Sequence, residues 1–297
     1  MLKRLFMFAL FVTVVSGCSN DGSSLEFRID NPTDAPITLN IDGQDYAVSA
    51  QSDKPVHLSP GEHRLRSERL GDVRVIVYAK GRGGIINPTL SDYVLVMETY
   101  AVSEDKLKKF GPTTTRIDLG GVEFEGPFSK THDLFIEKTW AFGVREPFPD
   151  TVTVMRTGNE RDGTIKAKIF TAADFIRYIE DINNQPGAYL QRNPAGFVQP
   201  LYTLEPIPAQ LPPLHEKYEA HAGAMRDFYA RYLKATTADE QVQLQKESFQ
   251  MFMDASKATI AIESSRDLPV EARKGYGQFM QALNHILSCS ALVVPAP

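Results

Sequence analysis

Leu25-Glu26-Phe27-Arg28-Ile29 decides the reading of the fold, because its side chains alternate between apolar and charged. Alternation with a period of two marks a strand that buries one face and wets the other. The pattern recurs in Ile37-Thr38-Leu39-Asn40-Ile41 and in Val73-Arg74-Val75-Ile76-Val77. Turn formers separate these runs: Asn31-Pro32-Thr33-Asp34, where proline presets φ, and Asp42-Gly43, where glycine tolerates positive φ. Leu58-Ser59-Pro60-Gly61-Glu62-His63-Arg64-Leu65 reads as a strand end, a Pro-Gly turn and the next strand. Short antiparallel strands at this spacing predict a β-sandwich-like body over 25–100.

The segment 101–198 reads as mixed. Thr114 to Phe124, Leu134 to Lys138, Thr151 to Met155 and Ile165 to Phe170 have strand composition. Thr171 then opens a helix, its hydroxyl placed to cap the amide of Asp174, with Phe170 and Phe175 at the two positions of a hydrophobic staple. Phe175, Tyr178, Ile179 and Ile182 supply one apolar stripe. From Asn183 onward prolines crowd the chain without a sustained period, and 199–213 reads as a Pro-rich strap. Tyr189, Phe197, Leu201 and Tyr202 favour a strap packed on a domain over a free spacer.

Helical spacing dominates 214–290. Leu214, Tyr218, Met225, Phe228 and Tyr232 form a first stripe, and Thr237-Ala238-Asp239-Glu240 is a capping box for a second helix reaching about Glu263. Its Phe249, Phe252 and Met253 are expected to share a face. Pro269 sits in the first turn of a third helix, whose Ala272, Tyr276, Phe279, Leu283 and Ile286 step by threes and fours. The expected fold class is α+β: an N-terminal antiparallel β-sandwich-like body followed by a C-terminal three-helix bundle.

The first eighteen residues carry a targeting signal. Lys3 and Arg4 precede an apolar run from Leu5 to Val15, followed by Val15-Ser16-Gly17-Cys18. The run falls short of the about 20 residues that a membrane-spanning helix needs. Val-Ser-Gly-Cys resembles the lipobox of bacterial lipoproteins. That resemblance implies cleavage after 1–17, a diacylglycerol on the sulfur of Cys18 and often an acyl group such as palmitate on its amine. Ser19, where an aspartate would imply inner-membrane retention in Gram-negative lipoproteins, implies outer-membrane, periplasm-facing placement. The polar tether 18–24 holds the body within about 20 Å of its membrane, at 3.3–3.6 Å per residue. A second resemblance covers about 36–68. Ile41-Asp42-Gly43 followed by Leu58-Ser59-Pro60-Gly61-Glu62-His63 is similar to PEGA-type surface modules, although Ser49 to Lys54 replaces their usual Gly-x-Thr-Pro strand. It implies a β-module for adhesion or assembly and brings no catalytic residues.

Composition narrows the function classes. The whole chain has a formal charge of −5, and loss of Lys3 and Arg4 makes the mature chain more acidic still. Acidity argues against nucleic acid and against a basic, lipid-hugging surface. With Cys18 lipidated, Cys289 lacks a disulfide partner, and its neighbours Ile286, Leu287 and Leu292 suit an inert thiol. Neither G-x-S-x-G nor a phosphate-binding G-x-x-x-x-G-K-[ST] occurs. His215 and His221 lie about 120° apart on a helix, and His132-Asp133 and His57/His63 stand as isolated pairs, so no metal and no cofactor is expected. Carboxylates such as Glu123, Glu125, Asp133 and Glu137 are pairs that alternating strands produce routinely.

Two segments suit recognition. The loop from Lys80 to Tyr93 combines glycines with Arg82, Ile85, Ile86, Asn87 and Asp92, and loops of that content carry binding. Ile85 and Leu90 could equally serve to pin it down. Trp140, the only tryptophan, precedes Arg145 by five residues, a pairing that suits either an interface hot spot or a core aromatic beside a salt bridge. The expected function is non-catalytic: a membrane-anchored binding or assembly lipoprotein with an envelope or secreted protein as partner, toxin immunity being one concrete form. The alternative is an envelope hydrolase whose site is assembled from scattered residues; a structural envelope role is a third.

Overall fold

The computed structural model describes residues 24–101, 112–152, 163–264 and 268–295. The signal segment, Cys18 and most of the tether, together with most of the strand expected at Thr151–Met155, lie outside the described residues. The fold is mixed α+β, with several separate sheets.

Strand β1 (Leu25–Asn31) buries Leu25, Phe27 and Ile29 and turns Glu26 and Arg28 outward, as its alternation requires. It pairs antiparallel with β4 (Ser52–Leu58) and parallel with β7 (Gly84–Ile86), whose other neighbour is the antiparallel β12 (Phe135–Glu137). A second sheet runs β14 (Ala291–Val293), β6 (Gly71–Val77), β5 (Gly61–Ser67), β2 (Ile37–Ile41), β3 (Gln44–Val48). Phe27, Ile29 and Val56 of the first sheet share one buried cluster with Leu39, Leu65 and Val75 of the second. Asp42 and Gly43, both at positive φ, make the two-residue turn between β2 and β3. His63 fastens the Pro-Gly hairpin to that turn: Nδ1 lies 2.6 Å from Asp42 Oδ2 and Nε2 lies 2.8 Å from the Ser59 carbonyl.

A third sheet orders β11 (Phe128–Thr131), β8 (Tyr93–Ala101) and β13 (Gly163–Thr171). The single strand expected over Thr114–Phe124 is instead a hairpin, β9 (Thr115–Leu119) and β10 (Val122–Gly126). Gly120 and Gly121 take φ of +62° and +83° and reverse the chain where a side chain would strain it. Helix α1 (Ala172–Ile182) opens on Thr171, whose hydroxyl accepts from the Asp174 amide at 3.1 Å. Its buried face is Ala172, Phe175 and Ile176; Ile182, expected on the stripe, is 58% exposed at the helix end. The Pro-rich region holds a short helix α2 (Ala188–Arg192), whose Tyr189 is buried. Farther along, Tyr202, Leu204 and Ile207 pack on the body while Leu201 is exposed.

The helix expected from Leu214 to Tyr232 is broken into α3 (Glu216–Glu219) and α4 (Gly223–Tyr232). Gly223 weakens continuity, and the two pieces bury into different clusters: Tyr218 joins Leu268 and Ala272, while Met225 and Phe228 join another. Helix α5 (Ala238–Glu263) is capped by the Thr237 hydroxyl, which accepts from the Glu240 amide at 3.4 Å. Its buried face is Gln241, Leu244 and Ala255, so Phe249, at 71% exposed, lies outside rather than in the core. Helix α6 (Val270–Ser288) buries Ala272, Phe279, Leu283 and Ile286. No helix among the described residues is long and apolar enough to cross a membrane.

Helices and sheets share a core. Tyr78 stacks on Tyr232 with ring centroids 4.4 Å apart, and its hydroxyl donates to the Tyr232 carbonyl at 3.2 Å. Ile76, Tyr78, Leu292 and Val294 belong to the cluster that holds Met225, Phe228, Phe279 and Leu283. Buried Gln241 stitches the same boundary: its amide donates to the Val77 and Ala235 carbonyls, both at 3.0 Å, and its oxygen accepts from the Ala79 amide at 2.8 Å. Tyr78→Ala should therefore destabilise the chain by about 3–5 kcal/mol, the usual range for a large aromatic truncated in a core. Trp140 fluorescence and helical circular dichroism should be lost together in urea. A helical signal that outlives the tryptophan transition would contradict a shared core.

Candidate functional site

The outward face of β1 forms the floor of a groove of about 560 Å³, with Glu26, Arg28 and Asp30 along it. One wall is Arg82, Gly84 and Ile85; another is Lys138 and the loop from Trp140 to Glu146; Asp53 of β4 closes the far side. Four of the residues singled out from the sequence, Arg82, Ile85, Trp140 and Arg145, therefore meet in one cavity although they come from two distant segments.

Asp30 organises the far end. Its position continues the outward alternation of β1, yet it is 1% exposed. The hydroxyl of fully buried Tyr93 donates to one carboxylate oxygen and the Arg145 guanidinium to the other. Arg145 also donates to the Gln51 carbonyl at 3.0 Å and reaches Asp53 at 3.5 Å. Arg28 pairs with Asp53 and lies 3.8 Å from Glu26. Burial pushes the Asp30 carboxyl above its ordinary range, while the bonds from Tyr93 and Arg145 pull it back. Burial, with the Asp30 charge beside it, likewise holds the Tyr93 hydroxyl well above its usual value.

A buried lysine holds the loop that carries Trp140 and Arg145. Lys168, 4% exposed, donates to the Gly143 carbonyl at 2.7 Å and to the Val144 carbonyl at 3.1 Å. Its ammonium sits 4.5 Å from the centre of the Phe170 ring, and burial lowers its pKa to about 8. Ala141 and Phe142 donate to the Ala167 carbonyl, and Ile169 donates back to Phe142. Trp140 and Val144 pack on Ile85, Tyr93, Ile136 and Ile169, so the tryptophan is partly buried with one edge on the groove.

The remaining residues singled out in the 80–93 segment lie inside. Ile86 is core, and Asn87 is fully buried, bridging its own turn by donating to the Ser91 carbonyl at 2.9 Å and accepting from the Ser91 amide at 3.0 Å. Asp92 is 1% exposed and accepts from the Tyr202 hydroxyl at 3.2 Å; His132 Nδ1 lies 4.0 Å and Lys130 Nζ 3.9 Å away. What reads as a surface loop is a buried connection, because β7 pairs with both β1 and β12. Cys18 lies outside the described residues. Asp30 and Lys168 went unnoticed in the sequence, and Tyr93 reads there only as the end of the 80–93 loop: the structure places all three on strands, and only the covering loop gives them a role.

A second cavity, of about 620 Å³, lies beneath the strap between His132 and Tyr202 on one side and His285 and Cys289 on the other. The rings of His132 and Tyr202 stack with centroids 3.6 Å apart. Cys289 Sγ is 3.6 Å from His285 Nδ1, and burial, followed by the charges of Glu137 and Asp133, pushes the thiol up to about 12, which suits an unreactive sulfur. Among the described residues no three histidine, cysteine or acidic side chains converge as a metal site.

No protein-family model, curated protein or solved structure matches this chain.

Arg145→Ala tests the pair between buried Asp30 and Arg145. Asp30 titrates above its unfolded value, so the folded state holds its proton longer and stability falls as pH rises through the window above 3.8. Removing Arg145 takes away the bond and the charge that lower this value, which widens the window. The variant should lose about 1–3 kcal/mol near pH 7, the cost of leaving a buried acceptor short of a partner, and less near pH 4. Urea titrations at the two pH values measure this, and equal losses at both would contradict it.

Proposed function

We propose that this chain is a periplasm-facing lipoprotein, anchored in the outer membrane through Cys18, that works by non-catalytic contact with an envelope or secreted protein. Within this reading the two larger sheets form a β-sandwich and α4, α5 and α6 a three-helix bundle, the sheet body presenting the groove. The observation that supports it most is the convergence of Arg82, Ile85, Trp140 and Arg145 on one groove. Its far-end carboxylates are already engaged: Asp30 by Tyr93 and Arg145, and Asp53 by Arg28. Engaged charges around an aromatic make a contact surface, since binding energy concentrates in a few Trp, Tyr and Arg side chains. A short tether that keeps the groove near the membrane suits a stationary partner, and immunity to an arriving toxin is one concrete form.

A second reading, an envelope hydrolase, draws on Asp92. Its Oδ1 is buried without a hydrogen-bond partner, 4.0 Å from the Nδ1 of His132, and His132 lines the larger cavity. Such a pair could orient an imidazole as a general base.

Capture from solubilised envelopes separates the two. Trp140→Ala should reduce partner recovery at least tenfold while His132→Gln leaves recovery and cell phenotype intact, and Cys18→Ala should abolish palmitate labelling. Loss of the phenotype in His132→Gln with capture and folding unchanged would favour the enzyme and overturn the contact reading.

A further inference from the structure

We infer that the Glu26 end of the groove receives an acidic, extended segment of the protein partner, one carboxylate lying between Arg82 and Lys138 and a neighbouring apolar side chain against Trp140. This rests on the contact reading above and specifies the partner's chemistry.

Charge complementarity supports it. At the far end of the groove Arg28 and Arg145 are neutralised by Asp53 and Asp30. Glu146 turns back onto its own loop, accepting from the Gly143 amide at 2.7 Å. Arg82 and Lys138 are the groove cations with no ion pair among the described residues. Glu26, the acid nearest them by strand register, already faces Arg28. The groove of an acidic chain thus ends in two cations that make no ion pair among the described residues.

The backbones behind these cations are held rigidly. The amides of Arg82 and Gly83 both donate to the hydroxyl oxygen of Ser290, at 2.8 and 3.0 Å, and the Lys138 amide donates to the Gly83 carbonyl at 3.0 Å. A Cβ at Gly83 would lie 1.9 Å from the Glu26 carbonyl oxygen and one at Gly84 2.0 Å from that of Ile136, so the two strands approach as closely as glycine allows. Glu137, between the strands and the last sheet, feels the Arg82 charge but makes no ion pair with it. Its carboxylate accepts from the Ser290 hydroxyl at 2.6 Å and from the Ser290 amide. Both cations therefore line the groove from a hydrogen-bonded backbone frame, which lowers the ordering penalty of binding.

The dimensions favour a polypeptide over a small anion. From Glu26 to Asp30 the floor extends about 13 Å at roughly 3.3 Å per residue, the span of about four extended residues. Partly buried Trp140, packed on the buried Ile85, lies along this length and offers an apolar plate next to the cationic end.

The test is fluorescence anisotropy with the full chain in detergent and two labelled probes, acetyl-Glu-Phe-Glu-Glu-amide and its glutamine counterpart acetyl-Gln-Phe-Gln-Gln-amide. The acidic probe should bind at least tenfold more tightly at low salt, with the preference shrinking as salt screens the pair. Arg82→Gln with Lys138→Gln should erase the preference. Lys257→Gln with Lys274→Gln, the same charge change on exposed helical positions, should retain it. Equal affinity for both probes, or equal loss in the two double variants, would overturn the inference. If Trp140→Ala still abolishes partner capture in that case, the contact reading survives and only the acidic chemistry is wrong.

Discussion

Everything at the groove depends on a carboxylate that the fold has taken out of water. Asp30 extends the outward face of β1, yet Tyr93 lies beneath it and the loop of Arg145 lies over it. An isolated buried carboxylate is expensive, and removal of one partner leaves the other charge stranded. The hydroxyl and the guanidinium are thus conditions of the local structure. Meeting them joins three elements: β1, the strand of Tyr93 and the loop that carries Trp140. Lys168 completes the arrangement by holding that loop through its carbonyls, so a second buried charge is satisfied by backbone acceptors and the Phe170 ring.

A second junction joins the C-terminal strand to the sheets. Ser290 accepts from two amides of the glycine-rich segment and donates to Glu137, which leaves its own hydroxyl fully used. Gly81 passes so close to Ser290 that a Cβ would lie 2.6 Å from it. This packing explains why a segment with the composition of a mobile loop is rigid. The same contacts that bind β14 to the body place Arg82 at the groove mouth.

Much of the local structure was legible in the sequence, because it depends on neighbours along the chain. The alternation of Leu25–Ile29, the Asp42-Gly43 turn and the caps at Thr171 and Thr237 rest on contacts within a few residues. Features that depend on distant packing were not legible. Ile85-Ile86 reads as loop because its strand partner β1 lies about sixty residues earlier and runs parallel to it. Residues 291–293 are too few to show a period, and their pairing with β6 is wholly tertiary. Phe249 and Met253 have helical spacing but point away from the core, since spacing identifies a face without saying what covers it. At the site, Trp140 and Arg145 were visible as residue types suited to recognition, whereas Asp30, just past the run Leu25–Ile29, carried no sign of its burial.

We propose the groove of Trp140 as the partner's contact surface. Photo-crosslinking in intact cells tests it most directly, with benzoylphenylalanine introduced in place of Trp140 in one strain and in place of Phe249, exposed on α5, in another. Position 140 should give a discrete protein adduct that disappears when Arg82 and Lys138 are both changed to glutamate, and position 249 should give none. A discrete adduct from position 249 and none from position 140, with both proteins folded and equally abundant, would contradict it.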